Sequence, residues 1–201
     1  MTSQSLRLGF LASGNGSSVR AIVAAIRAGE LAAEPQLLVS NNKSAPALVF
    51  AEAAGVPALC IATQADPLAA DARLADAMAA HGVEIVILSG YLRQLGPITL
   101  AAYPGRVLNI HPGPLPHFGG KGMYGPRVHE AVLAAGLAES EICIHLVDAQ
   151  YDRGPVLARE KVAVETGETA AQLAARVTLR EPGFFVETLR RLAAGELRLP
   201  V

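Results

Sequence analysis

The chain has 201 residues, of which 51% are apolar and 17% charged, with a formal net charge of −1. That length supplies one domain with a real core and argues against a second full one. So neutral a chain has no bulk attraction for nucleic acid or an anionic membrane, and an anionic ligand must be caught by backbone amides or a few placed cations.

Residues 6–12 read as a buried strand, followed by a Ser/Gly/Asn turn and a helix over 17–28 with Val19, Ile22 and Ile26 on one face. A short strand at 37–40 precedes a helix over 45–54 that stops at Gly55. Residues 56–61 form a third strand, 66–80 an Ala-rich helix, 84–89 a continuous apolar strand and 106–110 a fifth strand. Apolar strands alternating with helices imply a parallel sheet covered on both faces. Beyond residue 125 the rhythm changes. A helix over 128–135 leads to strands at 142–147 and 156–164, and the eight residues between them are too few for a crossover helix, which predicts an antiparallel pair. A long helix over 169–194 closes the chain, with Leu173, Val177, Phe184, Phe185 and Leu189 in its apolar stripe and Pro182 expected to kink or split it. The predicted fold is α/β: a single doubly wound, mostly parallel sheet, helices on both faces and an antiparallel C-terminal edge, in one domain over residues 1–201.

Ser13-Gly14-Asn15-Gly16-Ser17-Ser18 joins the first strand to the first helix. A glycine-rich turn running into a helix N-terminus exposes backbone N–H groups at the positive end of the helix dipole, which suits a phosphate. The same residues also suit a tight turn with Ser17 as helix N-cap. No Lys follows in Walker register and the full GxGxxG spacing is absent, so the turn alone names no ligand.

In Asn109-Ile110-His111-Pro112-Gly113-Pro114-Leu115-Pro116, strand periodicity places Asn109 and His111 on one face, and the prolines end the strand in a rigid loop. An amide and an imidazole side by side can donate to an oxyanion formed when a carbonyl is attacked, and the imidazole can carry a proton near neutral pH. A strand-end Asn that caps a turn, beside a surface His, would present the same letters. No serine or cysteine stands in a nucleophile motif, which argues against a covalent acyl-enzyme.

Together with His145-x-Val147 and Tyr151-Asp152-x-Gly154-Pro155, these segments resemble the 10-formyltetrahydrofolate-dependent formyltransferases, collinearly from Leu8 to about Leu197. The Ser-Gly-Asn-Gly-Ser turn is similar to that of the family's ribonucleotide-using branch, the glycinamide ribonucleotide transformylases. The resemblance implies a cytoplasmic enzyme of de novo purine biosynthesis that moves the formyl group of 10-formyltetrahydrofolate onto the amine of 5'-phosphoribosylglycinamide, without a metal. By the same resemblance Asn109, His111 and Asp152 are catalytic, with Asp152 favouring the charged form of His111. Gly16, Ser17 and Ser18 hold the ribonucleotide phosphate, and Glu181 holds the ribose hydroxyls. Leu92, Arg93, Gln94 and Leu95, with Asn109, line the folate pocket; core packing is the competing role for Leu92 and Leu95. Asp148 ranks below Asp152, because Asp152 precedes the Gly-Pro in the family register.

The chain departs from the family in having Ser18 for Asn, Gly113-Pro114 for Ser-Leu, Pro182 for His, and no arginine in register over 62–72, Arg73 being nearest. A hydrolase releasing formate from the same folate, and a paralogue formylating another phosphorylated or sugar-linked amine, are the alternative activities. The implied partners are small molecules only, with a homodimer as a candidate assembly. Cys60 and Cys143 fit neither a zinc site nor a redox pair and read as buried thiols in a reducing compartment. Residues 1–5 are short and polar, unlike a secretory leader, and no apolar run approaches the ~18–20 residues of a membrane span.

Overall fold

The computed structural model describes residues 5–200, so the expectation for residues 1–5 lies, apart from Ser5, outside the described residues. In chain order the elements are β1 (Leu6–Leu11), α1 (Ser17–Arg27), β2 (Ala33–Ser40), α2 (Pro46–Ala53), β3 (Ala58–Cys60), α3 (Pro67–Ala80), β4 (Ile85–Leu88), α4 (Pro97–Ala102), β5 (Val107–His111), α5 (Pro126–Ala134), β6 (Glu139–Leu146), β7 (Val156–Ala163) and α6 (Ala170–Ala193). The strands form one sheet in the order β3-β2-β1-β4-β5-β6-β7, so β3 and β7 are its edges. β1 to β5 pair in parallel, and β6 runs antiparallel to both β5 and β7. The expected α/β class and antiparallel C-terminal edge are both present.

Alternation along the inner strands builds a core on each face. Leu8, Phe10, Ile85, Ile87, Leu108 and Ile144 pack with Val19 and Ile22 of α1 and Phe185 and Leu189 of α6. On the other face Leu11, Val39, Val86, Leu88 and Val107 meet Leu74 and Met78 of α3. β1 sits between β2 and β4, the point where the strand order reverses and a crevice opens at the carboxyl ends of the strands. The Ser13–Ser18 turn and the segment after β4 both emerge there.

Three of the differences from the sequence expectation have a clear physical reason. β2 begins at Ala33 because residues 33–35 pair with β1 despite Pro35 and the polar Glu34 and Gln36, which break the hydrophobic signal. The helix α4 carries no capping side chain of its own: Gly96 is its N-cap, and the buried Asp71 of α3 caps it from outside. Asp71 accepts the N–H of Ile98 at 2.8 Å, the N–H of Thr99 at 3.2 Å and the Thr99 hydroxyl at 2.6 Å. A Cβ at residue 96 would run into the Asp71 carboxylate, so glycine permits the cap. Finally, α6 runs unbroken through Pro182. Proline in a helix interior costs about 3 kcal/mol, whereas Leu173, Val177, Phe185, Val186 and Leu189, all buried on this helix, stabilise it by about 1.5–3 kcal/mol each. Packing outweighs the missing backbone donor.

Candidate active site

β5 delivers Asn109 and His111 on one face, and the antiparallel register of β6 sets His145 opposite Asn109 and Cys143 opposite His111. The Asn109 Nδ2 lies 3.1 Å from His145 Nε2. Asp152 comes from the loop between β6 and β7, where its φ of 54° is a left-handed conformation that Asp tolerates better than most residues. Its Oδ2 lies 3.6 Å from His111 Nδ1 and its Oδ1 lies 3.4 Å from His145 Nε2, while the Gly120 N–H donates to Oδ2 at 3.0 Å. The loop is held against the end of β6: a Cβ on Gly154 would collide with the Leu146 carbonyl. The structure thus brings Asn109, His111 and Asp152 into one cluster and adds His145. The competing carboxylate, Asp148, is exposed and accepts the Gln150 N–H within its own turn at 2.8 Å.

Both imidazoles are buried, and each has one nitrogen committed to a backbone carbonyl. His111 Nε2 donates to the Phe118 carbonyl at 2.7 Å, leaving Nδ1 toward Asp152. Burial pushes the His111 pKa below its ordinary value, although Asp152 and the Phe118 carbonyl both pull it up. Asp152 thus favours the imidazolium, as expected, but desolvation by burial exceeds its pull. For Asp152 burial pulls upward, yet the neighbouring His145, the Gly120 N–H and His111 together hold its pKa below the ordinary carboxylate value.

At the switch point, Gly16 is the N-cap of α1, in a left-handed conformation with φ 65°, so Ser17 is not the cap. The N–H groups of Gly16 and Ser17 have no acceptor among the described residues. They stand at the positive end of an 11-residue helix, an arrangement that favours an anion. Ser17 is exposed, whereas Ser18 is buried and its N–H donates to Ser89 Oγ at 3.2 Å. Ser13 ties the neighbouring loops together: its hydroxyl donates to Asn41 Oδ1 at 2.6 Å and accepts the Leu92 N–H at 2.8 Å.

The segment after β4 is divided. Leu92 is 72% exposed and Arg93 also faces solvent, while Leu95 packs into the core beneath α3. The Leu92 amide is already occupied by Ser13, and Gln94 Nε2 donates to the Ala149 carbonyl at 2.9 Å, joining this segment to the loop that carries Asp152. A cleft lined by Ser13, Asn41, Asn42, Lys43, Leu92 and Arg93 opens beside it.

Glu181 is half-buried on α6 with no hydrogen-bond or ion-pair partner among the described residues, and burial pushes its pKa up to about 7. His117 and Arg73 are exposed. Cys143 is buried as expected; Cys60 is exposed, because β3 is a three-residue edge strand. No group of three or more His, Cys, Asp or Glu among the described residues is arranged to hold a metal, and no described helix is long and apolar enough to cross a membrane.

His145 is the residue that sequence reasoning did not place in the site. Its only signal was the His145-x-Val147 motif, since its partnership with Asn109 depends on a cross-strand register that periodicity does not reveal.

The amide–imidazole–carboxylate cluster and the free helix-end amides, on a sheet whose strand order reverses at β1, are the features of a group-transferring α/β enzyme. The chain belongs to the formyl transferase family, whose model matches residues 6–189. Within it, the chain is 37% identical over 196 residues to the chloroplastic phosphoribosylglycinamide formyltransferase of Arabidopsis thaliana, covering 96% of this chain and 67% of that one. It is 31% identical to the Escherichia coli (strain K12) phosphoribosylglycinamide formyltransferase, covering 94% of this chain and 88% of the relative. The crystal structure of glycinamide ribonucleotide transformylase 1 from Symbiobacterium toebii superposes with a TM-score of 0.87 at 31% identity, over 100% of this chain and 96% of the other. A formyltetrahydrofolate deformylase from Pseudomonas syringae pv. tomato shares the fold at a TM-score of 0.82, covering 96% of this chain and 63% of that one, with only 20% identity.

Proposed function

We propose that this chain transfers the formyl group of 10-formyltetrahydrofolate to the amine of 5'-phosphoribosylglycinamide in purine biosynthesis. The observation that carries the reading is the meeting of Asn109, His111 and Asp152 within hydrogen-bonding or ion-pairing reach of one another or of His145, in a chain whose relatives bear the corresponding name. The amine nitrogen bonds to the formyl carbon, and the carbonyl electron pair moves onto oxygen. Asn109 donates to that oxygen. His111 Nδ1 takes the proton shed by the amine, next to the Asp152 carboxylate, and the resulting imidazolium donates to the same oxygen. Collapse of the tetrahedral intermediate breaks the bond to the folate nitrogen, which receives the proton from His111. Starting neutral, as its burial favours, is what lets His111 accept that proton.

In this reading Gly16 and Ser17 hold the phosphate through their free amides, with Ser18 shaping the turn, and Glu181 accepts from the ribose hydroxyls. Leu92, Arg93 and Gln94 line the folate side with Leu95 behind them. The protein acts as a single cytoplasmic domain on small molecules, alone or as a homodimer, without a metal. Hydrolysis of the same folate would use neither a phosphate cradle nor Glu181, so the free amides at α1 favour transfer. The deciding assay follows 10-formyltetrahydrofolate with and without the ribonucleotide. The expected outcome is consumption only in its presence, with formylated ribonucleotide as product. Formate release without it would establish the hydrolase, and transfer only to another amine would establish the paralogue.

A further inference from the structure

His145 is 1% exposed and sits directly across the β5–β6 ladder from Asn109. Its Nδ1 lies 2.8 Å from the Leu146 carbonyl oxygen, which can only accept, so Nδ1 carries the proton. Asn109 Nδ2, which can only donate, lies 3.1 Å from Nε2, so in this arrangement Nε2 accepts from the amide and the ring carries its proton at Nδ1. A primary amide presents a donating nitrogen end and an accepting oxygen end. Only the nitrogen end satisfies a lone pair. Asp152 Oδ1 also lies 3.4 Å from Nε2, but an ionised carboxylate oxygen only accepts, so it cannot satisfy that lone pair.

We infer that His145 is a positioning residue that selects one of the two orientations of the Asn109 amide, engaging one N–H so that the second is left for the reacting oxygen. The inference rests on the formyl transfer proposed above and deepens it. In a flipped amide the carbonyl end would face the neutral ring's lone pair, and the donor would be lost from its place. Orientation of this kind acts on the transition state, where charge gathers on the oxygen, more than on the bound substrates. His145 is therefore expected to govern kcat with little effect on KM, and to do so through Asn109.

A double-mutant cycle on the full chain tests this. His145→Leu should lower kcat by about 10–100-fold with KM for both substrates near its original value. In an Asn109→Ala background the same change should lower kcat no further. His145→Gln, which offers an acceptor oxygen toward Asn109, should recover much of the loss. Additive losses in the cycle, or a raised KM with kcat retained, would overturn the assignment. If the Leu variant fails to fold, nitrogen NMR of the labelled parent protein decides instead: a His145 ring protonated at Nδ1 alone supports the inference, and a ring carrying a proton on Nε2, singly or doubly protonated, refutes it. Absence of formyl transfer in the parent protein would defeat the proposed function, and that result is distinct from additivity in the cycle; the NMR arm reads the ring whatever the substrate.

Discussion

Desolvation acts on two titratable groups, the buried His111 and the half-buried Glu181, with opposite consequences. For His111 the downward shift keeps a proton acceptor beside Asp152 at neutral pH. For Glu181 the upward shift to about 7 means the folded protein retains a proton that the unfolded chain releases near 4.5. Its contribution is complete below about pH 4.5 and is lost as pH rises through about 7. Glu181→Gln removes this loss. Thermal unfolding at pH 5 and pH 8 should show a smaller decline for the variant than for the parent, on the order of 1–3 kcal/mol at the higher pH; equal declines would remove Glu181 as the cause. At this scale Asn109 and His111 were legible because a strand's period of two is printed in the residue order. Asp152 came only from resemblance, since no local rule says that a loop 41 residues beyond His111 returns to it. His145 needed the register, and the exposed Cys60 needed the knowledge that its strand lies at an edge.

Among the elements, most strands and helices announced themselves through hydrophobic period and glycine stops, which is why β1, α1, α3 and α6 fall within a few residues of expectation. What escaped was non-local. The start of α4 depends on a carboxylate 27 residues upstream, so residues 96–99 carry no capping letter of their own to find. Removing that carboxylate leaves the Ile98 and Thr99 N–H groups short of an acceptor, while the Thr99 hydroxyl keeps only the Asp71 main-chain carbonyl at 3.2 Å. Asp71→Ala should therefore destabilise the protein by about 2–4 kcal/mol in chemical denaturation, and speed amide exchange at Ile98 and Thr99. A variant as stable as the parent would show that solvent replaces the cap.

Across the molecule, the two main cores share β1, β2, β4 and β5, whose alternate side chains point into one or the other. Neither core can lose its strands without stripping the other, so one cooperative transition is expected, with calorimetric and van't Hoff enthalpies in agreement. Two resolved transitions would mean that the antiparallel edge, with its own small cluster of Val132, Ile142, Val162, Leu173 and Val177, unfolds separately.

The rims of the sheet bear on how the protein behaves in a crowded solution. An open strand border invites another chain to add to it and begin a fibril. Here one border is only three residues long, and the other alternates charge through Arg159, Glu160 and Lys161. A newcomer at either margin would find too short a run of amides, or a row of ions to desolvate, and this discourages aggregation without drawing on the residues of the catalytic crevice.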